Sequence, residues 1–299
     1  MRARIRDAEI YFDIDGSGLV AESGGMRERP VAFPIHGGPG TDHTGAKARY
    51  GFLKDRMQVV YFDHRGQGRS SRGDPSKYTL DENVADMEAL RCYLGLGPIV
   101  SIGTSYGGMV AMAHAARYPD AVSHLILVAT VAHGGYADRA KKLAAERGSP
   151  EQAKMCEDLF AGQIDTPEKM HRYFEVMGPL YSRKHDPVSG VGLGPTILEP
   201  VPQNLAHGPG GFLRTFDLRP ELSEIKAPTL ILAGRHDFVC APEFSEEMHA
   251  LIPDSELRIF EESSHSIGSD EPQSFRDTVF GFIVYNRGRR NTQIKRSDQ

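Results

Sequence analysis

Cysteine is scarce in this chain and never paired. Cys92, Cys156 and Cys240 are odd in number and widely spaced. That argues against a disulfide framework and points to reduced thiols in a cytoplasmic protein. Neither a CxxC pair nor a Cys/His cluster with zinc spacing occurs, so no structural metal is expected. Long apolar runs are also missing. "LILVA" at 125–129 is typical of the longest, far short of the roughly 20 residues that cross a bilayer. The N-terminal "MRARIRDAEI" carries positive charge with no apolar stretch behind it, so no signal peptide is expected. Nor is there an excess of positive charge. Thirty-five Lys and Arg against 40 Asp and Glu leave a net charge of −5, which argues against nucleic acid as the main partner. The basic ending "RGRRNTQIKRSDQ" reads as a solvated, frayed tail.

What is present is an ordinary globular composition. The 299 residues are 39% hydrophobic and 25% charged, enough for one large domain with an insertion, or for two domains. Short apolar runs at 30–35, 58–62, 98–102 and 124–129 read as buried strands, with Pro34 at a strand end because it donates no ladder bond. Between them, Val84, Met87, Leu90 and Leu94 recur at helical spacing, and 106–118 forms a second helix closed by Pro119. Such alternation implies a parallel sheet covered on both faces.

The alternation stops near Ala132. Helical patterns follow at about 137–147, 150–161 and 167–178, then a stretch dense in glycine and proline at 187–211, expected to be irregular and mobile. Strand signals resume at 228–234 and 256–260, and a final helix is expected from about Gln273 to Tyr285. The chain thus divides into a first core segment (1–131), a helical cap (132–222), a second core segment (223–286) and a basic tail (287–299).

Gly103-Thr104-Ser105-Tyr106-Gly107 fits G-x-S-x-G between a strand and a helix, the context in which that motif exposes a nucleophilic serine on a strained turn. Without such a role, Ser105 would be a helix cap. A serine needs a base, and chain order in such folds is Ser, Asp/Glu, His. Asp237 follows the strand 228–234 and His265 follows 256–260, both beyond strand C-termini. His265 would take the Ser105 proton and Asp237 would fix its tautomer. His236 receives no role, Asp254 reads as a turn residue, and Glu261 and Glu262 lie too near His265 in the chain to be first choices. "HGGPG" at 36–40 offers glycine amides for a substrate oxygen. Gly38 and Tyr106 are the expected oxyanion donors, with Gly37 beside the substrate. No P-loop follows, and His36, Asp42, His43, Asp63 and His64 have no recognisable metal-ligand spacing.

"HGGPG", "YFDHRGQGRS" (61–70), "GTSYGGMVAMAHAARYPD" (103–120), "AGRHD" (233–237) and His265 resemble the α/β-hydrolase superfamily, nearest its prolyl iminopeptidases and tricorn-associated aminopeptidases. The likeness spans both core segments. It implies an α/β-hydrolase fold: a mostly parallel eight-stranded sheet flanked by helices, with an inserted helical cap and no cofactor. Ser105, Asp237 and His265 match the family's triad, and Gly38 and Tyr106 its oxyanion donors. The "DHRGQGRS" loop is expected to be a packed structural turn near the site. The cap departs from the family. Iminopeptidases hold the substrate's free amine with cap glutamates, one in an "NGPNEF"-like segment. Here "AHGPGGF" (206–212) puts Gly211 in that position, and the chain has no tryptophan where many members line the proline site with it.

The expected activity is therefore cleavage of a small-molecule carboxylic ester or lactone, bulky macrocyclic ones included, through an acyl-enzyme. Gly211 and Phe212 are expected to border an enlarged substrate space. Release of an N-terminal proline is the alternative, with Glu175, Glu199 or Asp217 as amine anchors. A non-catalytic receptor would need none of the Ser/Asp/His set together. Dehalogenase and epoxide hydrolase chemistry would need an aspartate at position 105. Neither a nucleic acid nor a membrane is an expected partner, and the sequence does not fix the oligomeric state.

Overall fold

The computed structural model describes residues 1–186 and 196–297, with side chains up to residue 284. In chain order the strands are β1 (Arg2–Ile5), β2 (Ala8–Asp15), β3 (Leu19–Glu22), β4 (Gly25–Glu28), β5 (Val31–Ile35), β6 (Gln58–Phe62), β7 (Ile99–Thr104), β8 (Val122–Val128), β9 (Thr229–Gly234) and β10 (Ser255–Phe260). Eight of them form one sheet in the order β1-β2-β6-β5-β7-β8-β9-β10, while β3 and β4 pair separately. β1 pairs antiparallel with β2, and β2 with β6. From β6 to β10 every pairing is parallel.

Successive side chains of a strand face opposite ways, and here both faces are apolar. Phe33, Ile35, Phe62, Leu125 and Leu127 enter a layer that includes the helices Leu80–Tyr93 and Tyr106–Arg117. Tyr61, Ile102, Ile126 and Val128 enter the other, against Tyr50, Leu53, Phe275 and Val279. Burying each such side chain contributes about 1.5–3 kcal/mol, which fixes the register on both faces. Pro34 pairs with Ile102 of β7, past the point where the β5–β6 register stops at Ala32.

Between β8 and β9 the chain leaves the sheet and forms helices Tyr136–Arg147, Pro150–Phe160, Pro167–Tyr181, Pro200–His207 and Phe212–Thr215. Their starts are written in the sequence. Ser149 and Gln152 make a capping box, and the Thr166 hydroxyl accepts from the Lys169 amide. Proline opens three of these helices, where its missing N–H costs nothing. The segment leaves and rejoins the core at one neck. There Leu218 N–H donates to the Ala132 carbonyl at 2.8 Å and Gly134 N–H to that of Phe216 at 2.9 Å.

Three features differ from the expectations. The sheet begins before residue 30, with β1 and β2. Ile10, Phe12 and Ile14 alternate with Tyr11, Asp13 and Asp15 in β2, a period-two pattern that lacks the continuous apolar run of the central strands. The stretch expected to be irregular at 187–211 contains the helix Pro200–His207; the expected mobility of 187–195 lies outside the described residues. The final helix, expected to stop near Tyr285, continues to Ser297. Its arginine-rich end, with Arg287, Arg289, Arg290 and Arg296, contains no proline to stop it.

Candidate active site

The β7-to-helix turn holds Ser105 at φ +55°, ψ −124°, a conformation that costs a non-glycine residue about 1–3 kcal/mol. Its surroundings hold it there. Ser105 N–H donates to the Val128 carbonyl at 2.9 Å, and the Ser105 carbonyl accepts from Gly108 N–H and the Thr130 hydroxyl, both at 2.8 Å. The flanking glycines are required by contact. A Cβ on Gly103 would lie 2.3 Å from the Gly107 carbonyl oxygen, and one on Gly107 would lie 2.3 Å from that of Ile35.

Asp237 and His265 meet across the ends of β9 and β10. His265 Nδ1–H donates to Asp237 Oδ2 at 2.8 Å, while Oδ1 accepts the amides of Val239 at 2.8 Å and Cys240 at 2.9 Å. The carboxylate is fully buried. Tyr181 stands edge-on to the imidazole, 5.3 Å between centroids. Ser105 and His265 both border one cavity under the inserted helices. Neither the Ser105 hydroxyl nor His265 Nε2 bonds to another described residue.

Gly37 and Gly38 border the same cavity. A Cβ on Gly37 would stand 3.3 Å from Ser105 Cβ, and Gly38 has φ +111°. The glycine loop thus lies against the serine turn in a conformation that excludes side chains. Tyr106 opens its helix, where the first amides have no intrahelical acceptor.

The "DHRGQGRS" loop holds this arrangement from behind. Gln67 Oε1 accepts the Gly40 amide at 2.7 Å. His36 Nε2 accepts the His64 amide at 3.2 Å, which leaves Nδ1–H to donate to the Gly37 carbonyl at 2.8 Å. Asp63 accepts the amides of His43 and Arg69, each at 2.8 Å. Sequence reasoning took this loop as structural and missed the reach of Gln67 and His36 to the glycines. The signal was the presence of both residues inside the two quoted motifs.

Gly211 and Phe212 do not border the cavity, contrary to expectation. A Cβ on Gly211 would collide with the Ala206 carbonyl at 2.3 Å, so this glycine serves close backbone packing and opens no space. Phe212 packs toward the buried Tyr106 ring at 6.2 Å. The cap acids also turn elsewhere: Glu175 to Arg172, Glu199 to Arg72 and Asp217 to Arg219. The cavity wall includes the apolar side chains of Met109, Leu159, Phe160, Ile164, Met170 and Phe174, with Arg49, Gln203 and His207 also bordering it. Among the described residues, the one carboxylate that borders it, Asp42, accepts from Arg69 at 2.8 Å, Thr44 N–H at 2.9 Å and Ile197 N–H at 3.2 Å.

Asp237, Cys240 and His265 offer ligand atoms within 4.8 Å of one another, the one such grouping among the described residues. Its carboxylate is already engaged by the imidazole and two amides. Burial pushes the Cys240 thiol up, away from the thiolate a metal requires. No helix among the described residues is long and apolar enough to cross a membrane.

Comparison with known proteins agrees with the fold. Residues 34–148 match the α/β-hydrolase fold family. The proline iminopeptidase PfmaB of Pestalotiopsis fici is 30% identical over 266 residues, covering 86% of this chain and 92% of that protein. The chain belongs to the α/β-hydrolases, in their prolyl iminopeptidase-like branch. Solved structures with the same fold include a proline iminopeptidase of Mycobacterium smegmatis, at TM-score 0.73 and 22% identity over 96% of this chain and 98% of that one. An esterase from Exiguobacterium antarcticum matches as well, at TM-score 0.73 and 23% identity over 96% and 98%.

Proposed function

We propose that this hydrolase cleaves carboxylic esters or lactones, bulky macrocyclic ones included, with Ser105 as nucleophile. His265 Nε2 takes the Ser105 proton as Oγ attacks the carbonyl carbon. The Gly38 and Tyr106 amides receive the oxyanion, and the imidazolium is stabilised by Asp237. Collapse expels the alcohol, which takes the proton from His265. Water, deprotonated by the same imidazole, then attacks the acyl-enzyme and regenerates Ser105. Each step conserves one proton between substrate, imidazole and serine, and no cofactor enters.

The observation that carries the ester reading is that, among the described residues, no free carboxylate borders the cavity. Asp42 is held by Arg69 and two amides, and the segment 187–195 contains no acidic residue. An ammonium group brought under the cap would lose its water without an unengaged counter-charge, at a cost of several kcal/mol. An ester or lactone needs no such anchor, and the apolar wall suits its hydrocarbon parts.

The names of the relatives favour the second reading, removal of an N-terminal proline. The test is kcat/KM for proline β-naphthylamide beside short-chain aryl esters and a lactone series. Preferred hydrolysis of esters or lactones is expected. Efficient proline release that disappears on neutralising Asp42, Glu175, Glu199 or Asp217 would establish the iminopeptidase reading instead.

A further inference from the structure

We propose that Arg49 forms an anion-receiving subsite at the border of the cavity, and that the favoured ester or lactone carries a carboxylate on its acyl or alcohol chain. The inference rests on the ester reading above and narrows its substrate class to acidic esters.

The helix Thr44–Tyr50 follows the glycine loop and turns one face to the cavity. Gly45, Ala46 and Arg49 border it, at the three- and four-residue spacing that shares a helix face. Lys47 points elsewhere and is taken up by Asp13 at 3.1 Å and Asp15 at 3.2 Å. Arg49 is half-buried and makes no ion pair among the described residues. Its neighbours place the side chain. A Cβ on Gly268 would stand 3.1 Å from Arg49 Cγ, 3.2 Å from Cδ and 3.4 Å from Nε, so the stem lies across the short helix Ile267–Asp270. That helix directly follows His265 and Ser266, which also border the cavity. Beside the guanidinium is the Tyr50 hydroxyl, which lies 2.6 Å from that of Thr104, the residue before Ser105. Burial pushes the Tyr50 hydroxyl up, and the Arg49 charge and its donated hydrogen bond act against that. The guanidinium thus stands between the His265 loop and the base of the serine turn.

Asp42, the other full charge on the border, is met by Arg69 at 2.8 Å. Arg49 is then the one bordering full charge without a counter-charge among the described residues. A neutral substrate filling the cavity takes water from the guanidinium and returns nothing. A carboxylate returns two charge-assisted hydrogen bonds in the planar geometry that a guanidinium presents. An ammonium group is repelled, so the same residue favours acidic chains and disfavours free amines.

The experiment uses monoaryl esters of dicarboxylic acids in a series of rising chain length, each beside a neutral twin with a methyl ketone in place of the far carboxylate. The ratio of kcat/KM within each pair is measured for the wild type, Arg49→Met and Arg49→Lys. At the chain length that reaches the guanidinium, the wild type should prefer the acidic ester by about tenfold, the order of one hydrogen bond to a charged group. Arg49→Met should abolish the preference, and Arg49→Lys, which keeps the charge and loses the planar fork, should retain part of it. A preference unaffected by Arg49→Met, or absent from the wild type at every chain length, overturns the subsite and leaves the ester reading standing. Loss of folded protein lowers both rates together and does not move the ratio. If the wild type cleaves none of these esters but releases proline from its β-naphthylamide, the ester reading falls and the subsite with it.

Discussion

Gln67 and Gly40 lie 27 positions apart in sequence, yet the Gln67 side-chain oxygen accepts the Gly40 amide at 2.7 Å in a buried contact. This bond ties the loop after β6 to the glycine loop after β5, and so sets how the Gly37–Gly38 backbone lies against Ser105. Gln67 touches no reacting atom; it is a positioning residue. Gln67→Ala should lower kcat about 2- to 10-fold with little change in KM, because misplaced oxyanion donors weaken the transition state more than the ground state. Gln67→Glu keeps the acceptor oxygen and should restore most of the rate. A change confined to thermal stability, with kcat intact, would remove Gln67 from this role.

The serine and histidine should fail as a unit. Ser105→Ala and His265→Ala should each reduce kcat by roughly 10⁴–10⁶, and the double variant should lose little more than either alone. Asp237→Asn should also be severe, since the neutral amide no longer favours the productive tautomer. Independent, multiplicative losses in a steady-state double-mutant cycle would contradict the assignment.

Chelation is expected to leave activity unchanged. The Asp237 carboxylate is committed to His265 and to the amides of Val239 and Cys240. Dialysis against EDTA followed by assay checks this, and activity lost there but restored by a divalent ion would contradict the proposed mechanism.

Arg65 and Asp86 form a two-point ion pair, Nε to Oδ2 and Nη2 to Oδ1, both at 2.6 Å, with each side chain only 4% exposed. Burial pushes the Asp86 carboxyl up despite the guanidinium beside it. Arg65→Leu leaves that carboxyl with Arg6 alone, whose Nη1 lies 3.2 Å from Oδ1, and should destabilise the fold by about 3 kcal/mol. Removing both charges, Arg65→Leu with Asp86→Leu, should recover much of the loss. Urea unfolding of the two variants decides it: a double variant no better than the single one would mean that the pair stabilises beyond mutual compensation.

Acid should weaken the fold through its buried imidazoles. Burial holds His36, His64 and His207 below the ordinary histidine value. In the unfolded chain these rings take up protons as pH falls below about 6.5, while in the folded chain they stay neutral to lower pH. The unfolded state then binds more protons, so stability is lost as pH falls from about 6.5 toward 4; above that range these rings have no effect. His207 alone accounts for on the order of 3 kcal/mol at full effect. His207→Phe should therefore lose less stability than the wild type between pH 7 and pH 4.5 in urea titrations. An equal loss in both would show that other groups govern the acid response.

Much of this was legible in the sequence because local rules and tertiary structure agree there. The apolar runs that became β5 to β9 are buried on both faces and so read as continuous hydrophobic segments, while the edge strand β10 alternates, with Glu256 and Arg258 exposed. Ser105 announced itself through glycines that three-dimensional contact does require. Asp237 and His265 followed from their positions after strands. Legibility ended where a residue acts through distant backbone. Gln67 bonds an amide 27 positions away, and no period or propensity records that. Gly211 misled for a related reason. An absent side chain suggests open space, whereas here the Ala206 carbonyl occupies the place a Cβ would take.

The neck at Ala132–Gly134 and Phe216–Leu218 has a consequence for how such a protein changes. The inserted helices hang from two strands of chain joined by a pair of backbone hydrogen bonds and the bridge between His133 and Asp217. Because entry and exit are adjacent, the sheet bears only a short closure penalty whatever the length between them, and that penalty grows slowly with length. The whole insert behaves as a graft on a rootstock. Another helical segment with the same narrow base could be transplanted onto β8 and β9, bringing a new cavity wall; the strands that present Ser105, Asp237 and His265 would stay in place, and the new segment would have to replace the contacts that Leu180 and Tyr181 make with the loop of His265.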